Sequence, residues 1–151
     1  MKKLLLVAII TLTTIIETTA QSYEYKVITS VESIVPMGLG RSRIISSDED
    51  KDYKEFTSLR TAENKKQNKS KRSDAKIDQF EETKLVNFYS IAGINFKNIA
   101  SNDALMSSKI NTMVTEGWDL AFVTSGVESD SGKGDGKGIY ITRYIFKRLK
   151  Q

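Results

Sequence analysis

The chain of 151 residues contains no cysteine and no histidine, which excludes disulfides, zinc sites of the His/Cys kind, cysteine nucleophiles and any Ser-His-Asp or Cys-His arrangement. Its 23 Lys and Arg against 19 Asp and Glu give a formal net charge of +4, too small an excess for a dedicated nucleic-acid binder. Catalysis is left to carboxylate, Lys, Tyr or Ser chemistry, and no cofactor or metal is expected.

Lys2 and Lys3 precede an apolar run from Leu4 to Ile16, and Thr18-Thr19-Ala20 put small residues where a signal peptidase reads. The pattern predicts a cleavable signal over 1–20 and a single domain over 21–151, periplasmic or secreted. Thr11, Thr13, Thr14 and Glu17 interrupt the run, which is short of the roughly 20 apolar residues a spanning helix needs. No second apolar run follows, so the mature chain is expected to have no transmembrane segment. Without cysteine, a lipid anchor on an N-terminal cysteine is excluded as well.

In chain order, Tyr23, Tyr25 and Val27 alternate with Glu24, Lys26 and Ile28, the period of a first strand over 22–30. Pro36 with Gly38 and Gly40 marks a turn or irregular loop, and Arg43 to Ser46 is short enough for a minor strand. A charged insertion follows over about 48–84, acidic from Asp48 to Glu55 and basic from Lys65 to Arg72. Tyr53, Phe56 and Leu59, and again Ile77 and Phe80, fall at three-residue spacing and suggest short helices at its ends. The middle, from Asn64 to Arg72, has nothing apolar to bury and is expected to be solvated and partly disordered.

Strands are expected over 84–90 and 94–99. Ser101 or Asn102 then offers a helix cap, and Met106, Ile110, Met113 and Val114 build one apolar stripe that Gly117 terminates. Trp118, Leu120 and Phe122 alternate with Asp119, Ala121 and Val123 as a strand. Tyr140, Thr142, Tyr144 and Phe146 alternate likewise with Ile139, Ile141, Arg143 and Ile145. A glycine-rich segment over 129–138 joins these two runs, which read as an antiparallel pair. The predicted fold is α+β: a small antiparallel sheet with one main helix on one face.

Candidate chemistry is sparse. The segment 131–138, with Lys133 and Lys137, has the glycines of a phosphate loop, but Lys137 is followed by Gly138 and a strand instead of Ser/Thr and a helix. Asp48, Glu49, Asp50, Asp52 and Glu55 have no apolar neighbours to raise a carboxyl pKa and read as a solvated charge run. Lys65, Lys66, Lys69, Lys71 and Arg72 carry no interleaved aromatics, so polyanion contact there is expected to be nonspecific and salt-sensitive.

The opening Tyr23-Glu24-Tyr25-Lys26-Val27, the Glu116-Gly117-Trp118-Asp119-Leu120 turn and the closing Tyr144-Ile145-Phe146-Lys147-Arg148 resemble a small bacterial domain-of-unknown-function family. Its members open on a YEYKV-type strand, leave their helix through an EGWEL-type turn and close on a strand ending Phe-Lys-Arg. Asp119 departs from the usual Glu, and the insertion has no counterpart in the short members. The resemblance implies a compact α+β fold and no assigned activity. The functional expectation is a non-catalytic binding module of the cell envelope or extracellular space, with a protein partner and with self-association through sheet edges open. The alternatives are a small carboxylate-dependent hydrolase and an exported inhibitor or adhesin-like protein.

Overall fold

The computed structural model describes residues 21–33, 42–90, 92–128 and 138–150. The expected export signal, the Pro36 turn and most of the glycine-rich segment, including Lys133 and Lys137, lie outside them.

The fold is α+β. Five strands form one antiparallel sheet: β1 (Tyr23–Ser33), β2 (Arg43–Ser46), β3 (Glu81–Lys84), β6 (Asp119–Glu128) and β7 (Ile139–Leu149), in the order β3-β2-β1-β7-β6. Strands β4 (Tyr89–Ser90) and β5 (Gly93–Ile94) make a separate small hairpin. Helix α1 (Phe96–Thr115) lies across one face. Among the described residues no helix is long and apolar enough to cross a membrane.

The β1–β7 ladder sets the geometry. It runs from Tyr23 opposite Leu149 to Ser33 opposite Ile139 without a register shift. Opposed residues share a face and the face alternates along each strand. Ile28, Ser30, Ile44, Thr142, Tyr144 and Phe146 therefore look toward the helix. Ile28, Ile44 and Phe146 close the core with Met113, Trp118 and Leu85, and Phe146 is completely buried.

The end of the helix is fixed by backbone geometry. Gly117 sits at φ +84°, a left-handed conformation in which a side chain costs about 1–2 kcal/mol. It lets the Trp118 N–H bond the Met113 carbonyl and the Gly117 N–H bond the Val114 carbonyl, both at 3.0 Å, the paired closure that satisfies the last helical carbonyls. The same closure sets the Trp118 ring against Met113 in the core.

Three expectations need correction. The helix starts at Asn95, whose side chain accepts the Asn98 N–H at 3.2 Å, so most of the strand expected over 94–99 is helix. Phe96, the residue that made that stretch look like a strand, lies exposed in the first turn. Asn102 is no cap. It sits buried one turn before the apolar stripe, where its Oδ1 accepts the Val86 N–H at 2.9 Å and its Nδ2 donates to the Val86 carbonyl at 2.8 Å and to Glu32 at 3.0 Å. Asn102 thus gives Val86 the two bonds a neighbouring strand would give, while the Leu85 N–H bonds the Ser42 carbonyl at 3.0 Å and the Phe88 carbonyl accepts the Asn95 N–H at 2.7 Å. The strand expected over 84–90 reduces to its two ends, because pairing to β2 is made by the charged Glu81–Lys84 instead.

Two further differences concern the insertion and β6. Tyr53–Phe56 form only a 3-10 turn, capped by Asp52, and Ile77 to Phe80 are not helical. Tyr53, Leu59 and Phe80 stay exposed, so neither segment has a buried face to stabilise a helix. In β6 the register jumps between Leu120 and Phe122, so the bulge at Ala121 puts Leu120 and Val123 on the helix side and Phe122 on the other.

Replacing Asn102 by Ala should destabilise the domain by about 1–3 kcal/mol, since both backbone groups of Val86 lose their partner. Asn111→Ala on the exposed side of α1 should stay within about 0.5 kcal/mol. Gly117→Ala should cost about 1–2 kcal/mol although a Cβ there meets no atom within 4 Å, and Gly117→Asn should cost less. Urea denaturation of the four proteins measures all of these.

Candidate binding surface

The basic residues singled out from sequence sit on an arm over 47–80 that connects β2 to β3. Asn68 organises it. Its side chain donates to the carbonyls of Glu55 at 2.6 Å and Thr57 at 3.3 Å, its N–H bonds the Ser58 hydroxyl at 2.6 Å, and its Oδ1 accepts the Ser70 N–H at 2.6 Å. Lys65, Lys66, Lys69, Lys71 and Arg72 are all exposed, and none forms an ion pair among the described residues. They share one arm without converging on a cavity wall that also holds Trp118, Phe80 or another aromatic named below.

The acidic run behaves differently from a free charge run. Glu49 pairs with Lys51 at 3.0 Å and accepts the N–H groups of Asp78 at 2.7 Å and Gln79 at 3.2 Å, closing the base of the arm. Asp48 pairs with Lys26 on β1. Glu81 takes a bond from Lys109 of α1 at 2.7 Å and another from the Ser46 hydroxyl at 3.1 Å. These contacts lower the pKa of all three groups. The Lys26 hydrogen bond and charge hold Asp48 below its usual range, Lys51 and then the Asp78 N–H do so for Glu49, and Lys109 and then Ser46 for Glu81. All three stay ionised at neutral pH, the opposite of what a proton donor needs.

A polar cleft of 610 Å³ lies at the same end of the sheet, with Glu24, Lys26, Asp48, Glu116, Trp118 and Arg148 in its wall. The Arg148 guanidinium lies 4.3 Å from the Trp118 ring centre, pairs with Glu24 and reaches the Glu116 carbonyl at 3.5 Å. Lys26–Asp48 and Arg148–Glu24 pair within the cleft, Glu49, Asp50 and Glu116 give its wall an acidic excess, and Trp118 is buried beneath Arg148 in the core, in a folding role. Among the described residues no cluster of three or more acidic side chains is arranged to hold a metal ion.

An apolar surface lies open on the other side of the sheet. On the face of the sheet away from α1, Val27, Ile145 and Phe122 form one row across three strands. Phe122 is 60% exposed, Tyr25 beside the row is 63% exposed, and Val27 and Leu149 are exposed as well. A groove of 330 Å³ between Val27, Thr29 and Ile45 of the sheet and Ile77 and Phe80 of the arm extends the patch. Arg43, Arg143, Lys147, Asp119 and Glu82 share this face and supply a polar rim, with the Lys147 ammonium 4.9 Å from the Tyr23 ring centre.

Sequence reasoning passed over this surface while weighing the charged segments. The signal was the adjacency of apolar residues in both central strands, Val27 with Ile28 and Ile145 with Phe146. Strands that are apolar on both sides need cover on both faces. Compared with known proteins, the chain matches no family model, no curated protein and no solved structure.

The ionised state of Glu81 makes a pH prediction. Its folded pKa is lowered, so its contribution is complete above the ordinary carboxylate value of about 4.3 and fades as pH falls below that. Both partners are solvent-accessible, so the effect is under about 1 kcal/mol. Lys109→Ala should therefore be slightly less stable than the parent at pH 7, with the gap closing by pH 3. Urea midpoints at the two pH values test the sign.

Proposed function

We propose that this chain is an exported, non-catalytic binding module, and that its contact surface is the sheet face left uncovered by α1. The observation that carries the reading is the row of Val27, Ile145 and Phe122 flanked by Tyr25, contiguous, solvent-facing and rimmed by charge. A patch of that character marks an interaction site on a soluble domain. Its rim carries both signs of charge and its centre aromatic and aliphatic groups, the make-up of a protein–protein contact. The partner is a protein of the envelope or the extracellular space. Export rests on the Lys2-Lys3, Leu4–Ile16 and Thr18–Ala20 pattern. The resemblance to the small bacterial family belongs to the same reading and adds no activity to it.

The lysine partners of Asp48, Glu49 and Glu81 lower their pKa values, which speaks against a proton-donor role for these three. An inhibitor or adhesin-like role is a particular case of the same contact, to be read from the identity of the partner. The five exposed cations of the arm favour a second, weaker contact with polyanions, screened by salt.

A photoreactive benzoylphenylalanine placed at Tyr25 or Phe122, with Ser108 on the outer side of α1 as comparator, tests the surface in the native host. Covalent adducts to one protein from both face positions and none from Ser108 are expected. Equal adducts from Ser108, or none from either face position, would overturn the assignment. Mass spectrometry of the same material should find the chain beginning at Gln21.

A further inference from the structure

We propose that β6 pairs with β6 of a second copy of this chain, antiparallel and about a two-fold axis through Ser125, joining two sheets into one of ten strands. The inference goes beyond the partner-binding face, because it uses the backbone edge of the sheet and stands or falls separately.

The two edges of the sheet are unlike. β3 is four residues long and carries Glu81, Glu82 and Lys84, the brevity and charge that discourage strand addition. β6 is ten residues long, pairs with β7 on one side, and among the described residues has no strand on the other. Residues 119–127 are exposed throughout, and 120–127 include no charged side chain. Helix α1 touches this strand but leaves much of it open, since Leu120, Val123 and Val127 remain exposed on the helix side. A long uncharged edge presents unpaired N–H and C=O groups as a template for another strand.

The occupant and its register follow from the bulge. Ladder pairing is regular from Phe122 to Glu128 and broken at Ala121. A strand paired with its own copy meets the same bulge on both sides, so the longest uninterrupted ladder is centred on Ser125 and uses 122–128 of each chain. Centring on Thr124 or Val123 brings a bulge into the ladder sooner. With Ser125 opposite its symmetry mate, Val123 of each copy faces Val127 of the other on the helix side, and Thr124 faces Gly126 on the far side. No like charges oppose one another within 120–127, and β-branched pairs in direct opposition are favourable. An unrelated strand has no reason to match this interval, whereas a second copy matches it by symmetry. A ladder of this length falls below the roughly 1,600 Å² of a standard interface, so the dimer should form with a dissociation constant of roughly 10–100 µM.

Sedimentation velocity of the purified protein from about 1 µM to about 1 mM should show a reversible monomer–dimer equilibrium, a range set by that affinity. Ser125→Lys should weaken it at least about tenfold by setting like charges directly opposite one another at the axis, with an unchanged melting temperature as the check on folding. The register is read by cysteines placed in a chain that has none. Ser125→Cys sets two thiols opposite one another, within the roughly 7 Å Cα separation a disulfide spans. Val127→Cys sets its thiols about 13 Å apart along the ladder. With oxidised glutathione as oxidant, Ser125→Cys should become a covalent dimer and Val127→Cys should not. A parent protein that remains monomeric at about 1 mM overturns the pairing. A dimer in which Val127→Cys links as fast as Ser125→Cys overturns the register.

Discussion

The antiparallel ladder between β1 and β7 is the constraint from which the other features follow. It opposes Lys26 to Phe146 and Val27 to Ile145, and a slip of one residue would exchange the two faces of the sheet. Because it holds, Ile28 and Phe146 meet Met113 and Trp118 under the helix, and Val27 and Ile145 are turned away from it. The core and the proposed contact surface are two sides of one register.

The helix is tied to this ladder at both ends by local chemistry. At its C-terminal end Gly117 permits the closure that delivers Trp118 to the core and starts β6. Nearer its start, Asn98 and Asn102 hold 85–88 alongside, with Asn98 donating to the Asn87 carbonyl at 2.7 Å and Asn102 engaging both backbone groups of Val86. A segment of chain that would otherwise have unpaired backbone is thus satisfied by side chains. With α1 over the centre of one face, the described residues bring Ile77 and Phe80 of the arm to part of the other. The row ending in Phe122, and the β6 edge beside it, are among the apolar surfaces that the described residues leave open to solvent.

Much of the fold was legible in the sequence. Period-two alternation located β1 and β7, the Met106–Ile110–Met113 spacing located the helix, and Gly117 located its end. The misreadings came where one residue type serves two structures. Ile94 and Phe96 are apolar yet exposed, so they imitate a strand at a helix start. Asn102 has the chemistry of a cap but uses it in mid-helix, because a segment distant in sequence needs its bonds. The bulge at Ala121 leaves no compositional trace, and it alone moves Phe122 from the expected core side to the open face. For the same reason the proposed site was not found by weighing charged runs: the lysines of the arm are conspicuous in sequence, whereas the row of Val27, Ile145 and Phe122 exists only once three strands are in register.

The measurement that bears most directly on this one-sided architecture is hydroxyl-radical footprinting of the dilute protein read residue by residue by mass spectrometry. Phe122 and Tyr25 should be oxidised rapidly, while Phe146, Trp118 and Met113 should be protected. Equal protection of Phe122 and Phe146 would mean that the far face is covered or the register is different, and the account of both core and surface would fail.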